Sequence, residues 1–522
     1  MNLLERMIAT VAPGQALKRQ VARQRLTILN SGYSNHGASR TKKSLLGWNY
    51  AGGSPDEDIV KNLDVLRQRS RDLFMGGAAL ATGAIKTTRT NVVGTGLRLK
   101  PAIDAELLGM NDDEAQALKR TIEREFSLWA DSVECDAMRM NNFYELQQLA
   151  ILSQLMSGDL FVLLPFIERK HSLYDTRIRL IEADRCSNPD KMDDRDIVGG
   201  VEVDQTGAVV AYWFLNKHPL SKGFSKKEWT RVEVFGKESG RRNVLHLMEA
   251  ERPEQRRGVP VLAPIIESLK QLGRYTEAEL MAAVISGMFT VFIESESPSP
   301  PLGNAIPEEE MVDDQDEQSY ELGNGAIIGL LPGEKVKDVN PGRPNTAFDG
   351  FVTAILRQVG SALEIPYELL VKHFTASYSA SRAALLEAWK MFRMRRTWLA
   401  SDFCQPIYEE WLAEAVAKGR IHAPGFFDDP LIRKAYTQAE WHGPAQGQID
   451  PLKEAKAAKM RVDEGFSTRE RETAELTGSD WELNHRQRVR EERMRLEGGL
   501  LRGGDENTAG NEVLEHEEDS EQ

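Results

Sequence analysis

The stretch "KHFTASYSASRAALLEAWKMFRMRRTWL", residues 372–399, holds the side chains whose types and spacing come closest to chemistry in this chain. Its first part is a loop of small residues. Lys372, His373 and Arg382 can meet phosphate oxygens there, while Thr375, Ser377, Tyr378, Ser379 and Ser381 offer hydroxyls that hydrogen-bond without strong fixation. The chemistry is transient contact with a passing polyanion, with no bond made or broken. The second part reads as a strong helix, with Lys390, Arg393 and Arg396 on a solvated side and Leu385, Trp389, Phe392 and Leu399 on an apolar one.

Other candidates fall away on spacing. "LLPGEKV" lacks both the first glycine of a phosphate-binding loop and the hydroxyl after its lysine. None of the nine histidines forms an HExxH pair, and no nucleophile elbow is present. "GTG" at 94–96 reads as a strand turn. "EEEMVDDQDE" at 308–317 fails as a calcium loop, because a start at Asp314 puts Ser319 and Gly325 where glycine and glutamate are needed. It reads as a solvated acidic loop, and His246 in "VLHLM" as a packed strand residue. No catalytic residue, metal site or cofactor is expected, and the chain reads as non-enzymatic.

The composition bounds the rest. At 522 residues, with 41% hydrophobic and 28% charged content, the chain is long enough for two to four units or one elongated subunit braced by neighbours. The net charge of −14 is uneven: residues 1–50 carry eight Lys/Arg against Glu5 alone, residues 294–321 ten acids and no Lys/Arg, and the last eighteen residues eight acids and no Lys/Arg. Such a chain is no tight wrapper of duplex DNA. The end reads as a disordered acidic tail. Three distant cysteines, Cys135, Cys186 and Cys404, exclude a disulfide framework and fit a reducing compartment. The first 25 residues lack the apolar core of a signal peptide. The longest uncharged apolar run, Leu280–Ile293, is fourteen residues, short of a membrane span.

The elements that must position the loop follow from periodicity. Helices are predicted over 1–29, 58–91, 112–130 and 141–157, with extended segments around Gly94 and Gly96. From Asp159 the period changes to two through "DLFVLLPFIE", "RIRLIEADRC", "GGVEVDQTGAVVAYWFLNK", "TRVEVFG" and "NVLHLM", an antiparallel β-rich segment with a turn at "DQTG". "RPEQRRGVP" then leads into a helix with Pro260 and Pro264 at its start. A Pro/Ser/acidic insertion and a hairpin at "AIIGLLPGEKVKDVNPGRP" follow. A second helix, carrying Phe348, Phe351, Val352, Ile355, Leu356, Val359 and Leu363 at helical spacing, stops at "EIPYELL".

Several co-linear stretches now carry a resemblance: "RSRDLFMGGAALATGAIKTTRTNVVGTGLRLKP", "RLIEADRCSNP", "HLMEAERPEQRRGVPVLAPIIESLKQLGRYTEAEL", "YSASRAALLEAWKMF" and "IDPLKEAKAAKMRVDEGFST". Together they resemble the lambda family of tailed-bacteriophage portal proteins, over about residues 1–495. The resemblance implies an α+β, elongated portal-type subunit in a ring, normally of twelve. Its parts would be a basic N-terminal arm and linker (1–57), a helical then β-rich wing (58–261), a first stem helix (262–290) and a small α/β clip with the acidic insertion (291–345). A second stem helix (346–366), a channel loop (367–382), the wing return and helical crown (383–495) and an acidic tail (496–522) complete it.

On that anatomy the apolar residues of the second helix, Phe348 to Leu363, are the stem interface between subunits, and Lys372 to Arg382 face the channel. The implied function is a conduit for double-stranded DNA packaging and ejection at one capsid vertex of the virion, assembled in the host cytoplasm. The implied partners are other copies of the chain, DNA in transient contact, the terminase large subunit, major capsid and scaffold proteins and head-tail connector proteins, with no membrane. Two rival readings are an enzyme fused to a capsid component and a non-portal head-tail adaptor or minor capsid protein.

Overall fold

A computed structural model describes residues 12–15, 17–19, 21–22, 43–45, 52–189, 196–222, 226–288, 292–293, 328–329, 347–374, 377–447, 450–498 and 500. Two units are distinguished, Met1–Asp58 and Ile59–Gln522. In the first, helical turns occur within 13–22, at Lys43–Leu45 and from Pro55. Most of the helix expected over 1–29, nearly all of the expected clip with its acidic insertion, and the tail from 501 lie outside the described residues.

In the second unit the helix expected over 58–91 is interrupted. α1 (Leu63–Asp72) runs into a π-turn at Leu73–Gly77, and α2 (Ala79–Val92) restarts beyond an extended Ala78. The Gly76–Gly77 pair is a poor helix former and supplies the break. After α2 the chain turns at Gly94 and Gly96, both with positive φ, and a Cβ at Gly96 would meet the Tyr144 side chain at 2.5 Å. One strand, β1 (Arg98–Pro101), follows where the sequence predicts two extended segments.

α3 (Asp112–Ala130) and α4 (Phe143–Ser157) each begin at a capping box. Asn111 exchanges hydrogen bonds with Glu114, and Asn142 with Glu145, which satisfies first-turn N–H groups that have no partner inside the helix. α4 stops at Gly158, and the change of period at Asp159 begins the sheets. The strands are β2 (Asp159–Leu163), β3 (Arg179–Glu182), β4 (Ile197–Val198), β5 (Val201–Val203), β6 (Val209–Leu215), β7 (Trp229–Glu233) and β8 (Val244–Met248). They form two antiparallel sheets, ordered β3-β2-β8 and β4-β5-β6-β7. In the turn at "DQTG" the Asp204 carboxylate accepts from the N–H groups of Thr206 and Ala208. Phe161, Ile181, Cys186, Tyr212 and Phe214 fill one small core shared by the two sheets.

α5 (Ile266–Met288) is preceded by a 3-10 turn containing Pro264. Beyond it β9 (Phe292–Ile293) pairs in parallel with β10 (Ile328–Gly329), and the rest of the hairpin expected at "AIIGLLPGEKVKDVNPGRP" lies outside the described residues. α6 (Phe348–Ala362), α7 (Tyr367–Val371) and α8 (Tyr378–Leu399) follow, and a π-turn at Ala400–Cys404 leads into α9 (Gln405–Ala417). α10 (Pro430–Thr437) precedes β11 (Ala439–His442), which pairs antiparallel with β1. α11 (Pro451–Asp463), α12 (Arg469–Thr477) and α13 (Trp481–Glu497) complete the described chain.

The main core gathers aromatic rings from distant segments. Phe126 of α3 stands edge-on to Trp411 of α9 at 5.0 Å and to Phe143 of α4 at 5.5 Å. Helices and antiparallel strands occupy largely separate stretches of chain, an α+β arrangement.

Candidate stem root, stem and channel segment

"RPEQRRGVP" looks like a hinge in sequence, and the structure pins it. Gln255 first closes the turn: its side-chain oxygen accepts from the N–H groups of Glu251 and Arg252, and its amide donates to the carbonyl of Arg257 at 2.8 Å. Arg257 is then carried into the protein, 2% exposed, against Asp159 at the start of β2. Its Nε donates to Asp159 Oδ2 at 2.7 Å, and its remaining nitrogens reach the carbonyls of Ala183, Cys186 and Gly199. Arg67 of α1 donates to the other Asp159 oxygen at 2.8 Å and to the Ser157 carbonyl. The Gly258 N–H also donates to Asp159, and His246 of β8 lies 3.4 Å from it, stacked on Phe161.

One carboxylate therefore joins α1, the end of α4, β2, β8 and the lead into α5. Burial pushes the Asp159 carboxyl up, but Arg257 and Arg67 outweigh it and hold the group well below the usual carboxylate range. Burial draws the Arg67 guanidinium down to about 10, still charged at neutral pH. It also lowers His246, which the Asp159 hydrogen bond only partly offsets. Gly158 and Gly258 pass so closely that a Cβ on either would collide with the other's backbone. The sequence reading placed His246 correctly as packed and missed the cluster. Its one signal was an aspartate opening an otherwise apolar strand, "DLFVLL".

α5 rises from this root and packs on α6. Tyr275 stacks on Phe348 at 5.6 Å and meets Phe351 edge-on at 5.1 Å. Of the residues expected at the subunit interface, Leu356, Val359 and Leu363 are 7%, 1% and 3% exposed within the chain itself. Val359 and Leu363 belong to its own core, in one cluster with Leu155 and Ile265. Phe348, Val352 and Ile355 are half-buried and Phe351 is exposed. On α5 an exposed apolar row of Leu280, Met281 and Val284 was not singled out in the sequence.

The loop expected over 367–382 is shorter than expected. α7 occupies 367–371, and α8 begins at Tyr378 with Ser377 as its cap, accepting from the Ala380 N–H at 3.4 Å. Ser379, Ser381 and Arg382 thus lie in the first turns of a helix, because the Ser377 hydroxyl caps a start at Tyr378, five residues before the expected one at 383. Lys372 and His373 are exposed, Lys372 in the left-handed conformation at φ 56°. Arg382 pairs with Glu454 of α11 at 3.3 Å. Thr375 lies outside the described residues, as does the side chain of Tyr378.

Along α8 the basic face divides. Lys390 pairs with Glu387 on the surface, whereas Arg396 turns inward and donates to the carbonyls of Asn91, Val92 and Pro444. Burial brings Arg396 down to about 10. Its expected place on a solvated face is therefore corrected: the guanidinium ties α8 to the end of α2. Trp389, Phe392 and Leu399 are buried as expected.

Among the described residues one set of groups has metal-ligand spacing, Glu182, Asp184 and His218. The surroundings do not fit an ion. Arg71 already pairs with Asp184 and lies 3.4 Å from Glu182, and His218 Nδ1 accepts from the Leu220 N–H at 3.1 Å. A neutral imidazole that accepts at Nδ1 carries its proton on Nε2, the atom facing the carboxylates, and leaves no lone pair there.

A buried ionic cluster thus holds the lead into α5 against the β-rich segment. The chain belongs to the lambda family of phage portal proteins: the family model described as "Phage portal protein, lambda family" matches residues 41–396. It is 27% identical over 482 residues to the portal protein of Escherichia phage N15, covering 87% of this chain and 89% of that one. To portal protein B of Escherichia phage lambda it is 27% identical over 487 residues, covering 89% and 90%. A solved structure described as the neck of a native GTA particle computed with C12 symmetry matches at 14% identity and a TM-score of 0.38, covering 78% of this chain and 93% of that one. Among the described residues no helix is long and apolar enough to cross a membrane.

Proposed function

We propose that this portal protein works as a non-catalytic ring at one capsid vertex of a tailed phage, through which double-stranded DNA enters and leaves. The family match over residues 41–396 carries the reading, and it disfavours a head-tail adaptor. α5 and α6 would be the stem, mounted through Arg257 and Asp159 on the β-rich wing. The exposed faces at Leu280, Met281, Val284 and Phe351 would meet neighbouring copies, a heterologous contact that closes by rotation. Terminase, capsid and connector proteins would dock on the assembled ring.

The segment 372–377 would face the channel. Lys372 and His373 supply exposed positive and polar groups close to a chain turn. Contacts of this kind with phosphate are weak and sequence-independent, which lets a polymer slide. The test is a packaging assay with phage particles carrying a portal lacking residues 373–376. The expected result is normal ring assembly with DNA packaging or retention reduced at least several-fold; unchanged packaging would overturn the assignment of this segment.

A further inference from the structure

α13 carries an arginine stripe that no other described element covers. None of its residues is buried. Residues 484–496, "NHRQRVREERMRL", hold five arginines against two glutamates. At about 100° per residue, Arg486, Arg490 and Arg493 fall within ~60° of one another along the helix, while Glu491 and Glu492 lie on the far side. Exposed apolar residues border the stripe, Leu483 and Met494 on one side and Val489 and Leu496 on the other. Arg486 pairs with Glu482 at 3.3 Å. Arg490 and Arg493 are exposed, and among the described residues neither has an acid within ion-pair distance, although Glu497 stands at the C-terminal end of the stripe.

The sequence supplies a complement directly after the helix. Residues 505–522 carry eight acids and no Lys/Arg, with Val513 and Leu514 among them. Only "GGLLRGG", residues 498–504, lies between, and its glycines allow the chain to reverse. Eighteen extended residues reach ~60 Å, whereas Arg486 to Arg493 spans about 10 Å, so the segment can run the whole stripe. Ion pairs on an exposed helix are individually weak and screened by salt. A short tether offsets that weakness, because it holds the segment at an effective concentration in the millimolar range.

We propose that the Arg486, Arg490 and Arg493 face of α13 is a docking site for the acidic segment 505–522 of its own chain, which covers the face and keeps the phosphates of duplex DNA from it. Guanidinium groups bind carboxylate and phosphate through the same paired N–H donors, so the two anions compete for one surface. The bordering Val489 and Met494 offer apolar surface to Val513 and Leu514. The contact lies within one chain and does not depend on the ring.

The test uses the full chain carrying Val489→Cys and Leu514→Cys under mild oxidation. Cys135, Cys186 and Cys404 are buried and give little background. The expected result is a disulfide between positions 489 and 514, found by mass spectrometry in chains that run as single copies on a non-reducing denaturing gel. Adding Arg490→Glu and Arg493→Glu should lower that yield several-fold, and so should raising the salt. A second measurement takes the chain truncated after Gly504, with a short duplex DNA as probe at low salt. It should bind the DNA several-fold more tightly than the full chain, and Arg486→Gln, Arg490→Gln and Arg493→Gln together should abolish the gain. Links only between chains, a yield indifferent to charge reversal, equal DNA binding by the full and truncated chains, or a gain that survives the glutamine variants would overturn the docking. Each of these outcomes leaves the ring assignment standing, because every readout is taken within one chain or against its own truncated form.

Discussion

Arg257 and Asp159, 98 residues apart, meet at 2.7 Å at the point where the β-rich segment hands over to α5. Because Arg67 and the Gly258 N–H bind the same carboxylate, the direction in which α5 leaves the sheets is set by a fully buried ionic group. A flexible linker at this place would let the helix swing, and the buried network resists that.

Asp159→Asn removes the charge while keeping the shape. It leaves two buried guanidiniums facing a neutral amide, and loss of one partner from a buried ion pair costs about 3–5 kcal/mol. Chemical denaturation of the full chain should show a loss of that size, with faster hydrogen exchange of amides 255–265. A loss below about 1 kcal/mol would mean that the cluster does not mount the helix.

The crossing of Gly158 and Gly258 gives a sharper steric test. An alanine at 258 places its Cβ against the Gly158 backbone, which no rotamer change can relieve. Gly258→Ala is expected to destabilise the chain by roughly 2 kcal/mol or more. Alanine at Gly207, where a Cβ meets nothing within 4 Å, carries only the strain of its positive φ and should cost less.

His246 makes the stability pH-dependent. Burial depresses its folded pKa, so between the folded and unfolded values the unfolded chain binds a proton that the folded chain does not. Stability attributable to this group is therefore full above the unfolded value of about 6.5 and falls as the pH drops below it, by at most about 1.4 kcal/mol per pH unit. Asp159, held low, adds its own loss only at more acid pH, below about 4. His246→Phe should flatten the denaturation midpoint between pH 7 and 5 while preserving the stack on Phe161; an unchanged slope would contradict the buried neutral imidazole.

α6 has one face in the core and another at the surface. Val359→Asp puts a charge into the subunit's own core and should prevent folding. Phe351→Asp, at a residue 51% exposed, should leave the circular dichroism spectrum intact and abolish rings on size-exclusion chromatography. Rings surviving Phe351→Asp would remove that face of α6 from the interface.

Helical period and alternation make α3, α4, the strand segment, α5 and α6 legible in the sequence, because each is decided by residues within a few turns of one another. What stayed hidden depends on distant partners. Nothing local says that Val359 packs into the subunit's core while Phe351 remains exposed, since both fit the same apolar stripe. Arg396 reads as a solvated base until the carbonyls of Asn91, Val92 and Pro444 are brought to it. The start of α8 is signalled locally by Ser377, a serine before a helical run, but the small polar residues after it fit a loop equally well.

Electron microscopy of the purified full-length chain, without DNA, metal or nucleotide, tests the central claim most directly. The account predicts closed rings with an open central hole, formed by the chain alone and lost in Phe351→Asp. A monodisperse monomer under the same conditions, correctly folded by circular dichroism, would contradict it.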